Sequence, residues 1–122
     1  MEQRRVKRFV EEDDVLIKYV SSKKEGKEKK DINAKTFDLS LAGARLISKH
    51  AFEKGAVLRV EIDLKRTQQV LNVDAEVKWC RENQGEQGYE LGIEFLHNIS
   101  TTLLSLLRHL YSEKSGIPSS VS

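Results

Sequence analysis

The 122-residue chain has the length of a single domain, and its 39% hydrophobic content suffices for one modest core. A formal net charge of +2 argues against bulk electrostatic binding of long nucleic acid, and a lone cysteine, Cys80, excludes a disulfide framework or a multi-cysteine metal site. The polar start carries no signal-peptide pattern and no apolar run has membrane-spanning length, so a soluble cytoplasmic protein with no output domain on the same chain is expected.

Residues 1–12 lack an apolar period and are expected to form a flexible, arginine-rich arm; residues 1–10 alone carry four Lys/Arg against one Glu. Val15 to Val20 is apolar and β-prone and predicts a first strand. Ser21 to Asp31, with five lysines against two glutamates and one aspartate, predicts a solvated loop. A second strand is predicted from Ile32 to Leu39, and Ala44, Leu46 and Ser48 share one face of a short third strand. After Gly55 the period-two signal is clean. Leu58, Val60, Ile62 and Leu64 alternate with polar residues, then Leu71, Val73, Ala75, Val77 and Trp79, then Tyr89, Leu91, Ile93 and Phe95. Arg66–Gln69 and Gln84–Gly88 are the intervening turns.

Near residue 101 the period changes to that of a helix. Leu103, Leu106, Leu107, Leu110 and Tyr111 form one stripe over 101–114, Ser100 is placed to cap it, and Leu104 lies off the stripe. Residues 115–122 read as a disordered tail. The expectation is an all-β domain with a C-terminal helix, its six antiparallel strands closing into a small barrel over residues 13–114.

Two short segments carry the chemistry. Arg4, Arg5 and Arg8 supply permanently charged planar forks that grip phosphate oxygens or the O6/N7 edge of guanine. Asp38, Ser40 and Gly43 supply a carboxylate, a hydroxyl and a glycine turn. Neither is specific alone; together they have what is needed to hold a phosphate-bearing guanine nucleotide. Taken locally, the arginines are an exposed basic terminus, and Asp38 and Ser40 are Asx- or ST-turn residues closing a strand connection.

Arg4-x-x-x-Arg8 followed by Asp38-x-Ser40-x-x-Gly43 resembles the PilZ domain family, and Tyr89 to Phe95 with the helix after it resembles that family's last strand and C-terminal helix. The likeness runs from Arg4 to about Tyr111, with no motif position substituted. It implies a six-stranded barrel, a bacterial signalling role, and cyclic di-GMP as ligand, with no further cofactor. On that implication Arg4, Arg5 and Arg8 engage guanine or phosphate and Asp38 accepts from guanine N1–H and N2. Ser40 donates to phosphate, and Gly43 permits a φ > 0 turn or close approach of the ligand. Ligand binding is then expected to fold the arm onto the barrel and change the surface offered to a downstream protein partner.

Trp79 has two readings. Alternation puts it with Val73 and Val77 on the core face, while its place as the last apolar residue before a polar stretch suits the barrel mouth, where an indole stacks on a base. Arg45, and with less support Arg81, is either a phosphate contact or an exposed strand residue. His50, His97 and His109 show no ligand spacing, Cys80 alternates onto the polar face with no adjacent base, and Glu94 and Asp14 have no carboxylate partner at a useful spacing. No enzyme is expected. The rival functions are a nucleotide-independent PilZ-type protein adaptor and an OB-like binder of single strands; aromatics at 7%, mostly alternating inward, disfavour the latter.

Overall fold

The structure, a computed structural model, describes residues 8–22, 26–83, 88–96 and 100–111. Chain order is β1 (Arg8–Val10), β2 (Asp14–Ser22), β3 (Gly26–Ser40), β4 (Gly43–Ser48), β5 (Val57–Leu64), β6 (Gln69–Glu82), β7 (Tyr89–Phe95) and α1 (Ser100–Leu110). All pairings are antiparallel. The sheet runs β1-β3-β2-β5-β6-β7-β4, and β4 pairs back onto β3, so that β2 to β7 close into a six-stranded barrel. Closure satisfies the ladder groups that an open sheet leaves at its edges.

Period-two patterning decides which side chains fill the barrel. Leu58, Val60, Ile62 and Leu64 of β5, with Leu71, Ala75 and Val77 of β6, are buried, while their alternating neighbours face outward. Ala44, Leu46 and Ser48 share a buried face of β4 as expected. In α1, Leu106 and Leu110 are buried and Leu104 is exposed. Tyr111, assigned to the buried stripe, is instead 58% exposed. It lies just past the end of α1 and meets Phe9 edge-on, ring centroids 5.6 Å apart.

Most of the expected Ser21–Asp31 loop is ladder. β2 continues through Ser22 and β3 starts at Gly26, with Ser21 opposite Lys27 and Ser22 opposite Gly26. The pairing outlasts the apolar pattern because β5 also pairs β2 as far as Ser21 opposite Val57, so the backbone has partners on both sides. Of the expected arm, residues 8–10 form β1 and residues 1–7 lie outside the described residues. The helix ends at Leu110 rather than at residue 114, and residues 115–122 also lie outside.

Candidate ligand cleft on the barrel wall

Five neighbouring strands align one row of residues across the outer wall. Val10 of β1 is opposite Asp38 of β3, Asp38 opposite Arg45 of β4, Arg45 opposite Gly92 of β7, and Gly92 opposite Trp79 of β6. Directly opposed residues of a ladder share a face, so the row is a single surface feature. Beside it Arg8 stands opposite Ser40. The two sequence motifs therefore meet at Arg8. Only its backbone is described, and Arg4 and Arg5 lie outside the described residues.

Two β-bulges open the wall. One register shift falls between Thr36 and Asp38, the other between Val77 and Trp79. At each, an extra residue puts two successive side chains outside: Phe37 with Asp38, and Lys78 with Trp79. Trp79 is consequently 38% exposed, and Cys80 takes the inward place and packs against the core. This corrects both the core assignment of Trp79 and the outward placement of Cys80. The resulting cleft of about 420 Å³ is lined by Asp38, Gly43, Arg45, Trp79, Gly92 and Glu94 among others. Gly92 makes room for the indole, since a Cβ there would come within 2.3 Å of Trp79 Nε1.

Ser40 is buried and its hydroxyl closes the β3–β4 connection. Its Oγ accepts from the backbone N–H groups of Ala42 (3.1 Å) and Gly43 (3.2 Å) and donates to Gly43 O (3.3 Å). The local turn chemistry is thus realised. Gly43 does not have the positive φ expected of a turn glycine; among described glycines Gly55 and Gly88 do. A Cβ on Gly43 would sit 2.0 Å from Ile93 O, so the absent side chain is what lets β4 lie against β7.

Asp38 is buried beside Arg45, whose Nη2 donates to Asp38 Oδ2 at 3.0 Å and whose Nη1 lies 3.1 Å from Glu90 Oε2. The guanidinium is stacked on Phe37, 4.3 Å from the ring centroid, and its Nε is buried without an acceptor among the described residues. Arg81 donates to the other Glu90 oxygen at 3.0 Å and lies 5.1 Å over the Trp79 ring. Lys78 sits between Glu76 (3.7 Å) and Glu94 (3.4 Å). Around the cleft, Asp38, Glu76, Glu90 and Glu94 thus stand against Arg45, Lys78 and Arg81. Among the described side chains, the cleft thus has no surplus positive charge.

A second polar cluster ties the base of β1 to α1. His109, which shows no ligand spacing in the sequence, is fully buried. Its Nε2 is 2.6 Å from Glu11 Oε2, and Nδ1 pairs with Thr67 Oγ1. Arg66 donates to His109 O at 2.8 Å and lies 3.5 Å from Glu11. Burial works to raise the Glu11 carboxyl, but hydrogen bonds from His109 and Asp13 and the charges of His109 and Arg66 outweigh it and bring it to about 2. Asp13, also buried, is pushed up to about 7 by desolvation and by the Glu11 carboxylate next to it. Glu11, Asp13 and His109 bring one metal-ligating atom each within 4.8 Å of one another. Arg66 already supplies a cation there and both ring nitrogens of His109 are engaged, while Asp13 Oδ2 is buried without a hydrogen-bond partner among the described residues.

The molecule is thus a small closed antiparallel barrel with a flanking helix, in which the Asp–Ser–Gly turn is met by an arginine-bearing strand. The PilZ domain family model matches residues 2–113, and the chain belongs to that family. PilZ domains are receptor and adaptor domains. The fold is similar to the PilZ domain of YcgR from Escherichia coli with c-di-GMP (TM-score 0.65, 16% identity, covering 87% of each chain). It is similar also to MrkH of K. pneumonia in its c-di-GMP complex (TM-score 0.70, 18% identity, 90% of this chain and 52% of that one). A third is the Bacillus subtilis inhibitor of motility MotI/DgrA (TM-score 0.68, 17% identity, 89% of this chain and 49% of that one). The chain spans about half the length of these last two. No curated protein sequence matches it. Among the described residues, no helix is long and apolar enough to cross a membrane.

Proposed function

We propose that the chain is a bacterial cytoplasmic receptor for cyclic di-GMP, holding the nucleotide between Arg4, Arg5 and Arg8 on one side and Asp38 and Ser40 on the other. The observation that carries this is the β1–β3 register, which sets Arg8 of the first motif opposite Ser40 of the second, beside a cleft. The described side chains of the cleft carry no surplus cationic charge, which leaves that role to the arginine motif. Asp38 suits guanine, whose N1–H and N2 donors match a carboxylate as adenine's edge does not. Binding closes the segment preceding β1 over the cleft and presents a changed surface to a downstream protein.

The test is calorimetric titration with cyclic di-GMP, with cyclic di-AMP and GTP as controls. Saturable binding of cyclic di-GMP alone supports the assignment. Absence of binding refutes it and leaves the nucleotide-independent adaptor. Amide exchange that slows in residues 1–12 on ligand addition supports closure, and unchanged exchange refutes it.

A further inference from the structure

We infer that Arg45 is a positioning residue for base recognition rather than a phosphate contact. It fixes the Asp38 carboxylate in the plane in which that group accepts from guanine, and Phe37 and Glu90 fix Arg45 in turn. The inference rests on the cyclic di-GMP reading above.

Both terminal nitrogens of Arg45 are engaged, Nη2 by Asp38 at 3.0 Å and Nη1 by Glu90 at 3.1 Å. One face of its plane lies on Phe37. Nε is buried, so a phosphate is left only the second hydrogens of Nη1 and Nη2, on a guanidinium whose charge two carboxylates already balance. The side chain of Asp38 is only 6% exposed and that of Glu90 14%, so these bonds are shielded from competing water. A carboxylate turns about its last torsion unless something holds it, since such sp²-ended torsions are broad. The Nη2 bond to Oδ2 supplies that hold, and an oxygen with two lone pairs can accept from Arg45 and from a base together. Phe37 is available as the platform because the β3 bulge places it outside next to Asp38. The fork geometry of arginine is required; a lysine would keep the charge without the two-point hold.

The experiment measures affinity for cyclic di-GMP and for its inosine analogue, which lacks the N2 amino group, in wild type, Arg45→Ala, Arg45→Lys, Asp38→Asn and the Arg45→Ala/Asp38→Asn double variant. Arg45→Ala is expected to weaken cyclic di-GMP about tenfold and to lower the guanine-over-inosine preference to the Asp38→Asn level. In the Asp38→Asn background it should cost less than about twofold more. Arg45→Lys should fail to restore the preference. Glu90→Gln, which loosens Arg45 from outside, should shift the preference the same way by a smaller factor, and serves if Arg45→Ala does not fold. An equal loss for both nucleotides with the preference intact, or a full additive loss in the double variant, overturns the inference and makes Arg45 a phosphate ligand. Failure of the wild type to bind either nucleotide refutes the parent reading; wild-type binding with an unchanged preference in Arg45→Ala and Glu90→Gln refutes this inference alone.

Discussion

Arg8 and Ser40, thirty-two positions apart in the chain, face each other across the β1–β3 ladder. The pairing brings two weak local patterns together, because the strand that ends the arginine motif lies beside the strand that carries the acid and hydroxyl.

Arg8→Ala and Asp38→Ala are each expected to weaken cyclic di-GMP binding by about tenfold or more, the loss of one charge-assisted hydrogen-bonding group. Calorimetry measures this, with melting curves run alongside. Near-normal affinity in both variants would remove the site assignment.

Gly43→Ala is expected to destabilise the barrel by roughly 1–3 kcal/mol, a fall in Tm of roughly 5–15 °C, because its Cβ would meet the Ile93 carbonyl oxygen at 2.0 Å. An unchanged melting temperature would show that β4 and β7 yield easily. The motif glycine would then owe its place to ligand contact.

Trp79 is the only tryptophan and lines the cleft, so its emission should change saturably on titration with cyclic di-GMP. If its ring stacks on a base, Trp79→Ala costs about 1–3 kcal/mol of binding, roughly five- to a hundredfold in affinity. A silent tryptophan and an unaffected Trp79→Ala variant would place the ligand elsewhere on the wall.

The pH dependence of stability follows from Asp13 and Glu11. Asp13 is raised from 3.8 to about 7, so the folded state holds its proton more tightly; that stabilisation is full below 3.8 and is lost as pH climbs through about 7. Glu11 is lowered from 4.5 to about 2, so its contribution is full above 4.5 and lost as pH falls through about 2. Wild-type Tm should therefore decline from pH 5 to pH 8. Asp13→Asn, which keeps a donor toward Glu11 without titrating, should flatten that decline; equal slopes in the two proteins would contradict the raised Asp13.

Much of the barrel was legible because alternation is a direct record of which side of a strand is dry. β5, β6 and β7 follow it, and the shift to a 3.6 period marks α1. The bulges escaped that logic. One extra residue in a ladder leaves the apolar count unchanged while turning everything beyond it over, so Trp79 and Cys80 exchanged sides. β1 was invisible for a different reason: three residues carry no period, and its partner is supplied by β3 nearly thirty residues later. The Glu11–His109 pair, 98 residues apart, has no local signature at all. The Asp38 and Ser40 motif was readable as a pattern, but that Arg45 holds Asp38 emerges only from the β3–β4 register.

The rim of β3 has two successive tenants. β2 covers it as far as Lys35, and from Asp38 to Ser40 the cover is β1. If the leading segment lets go, the main-chain amides and carbonyls of that stretch lose their neighbour and are left to water or to any extended polypeptide that can zip onto them. Release of β1 would thus bare an adhesive seam beside the cleft, and a chain in that state should join other chains more readily.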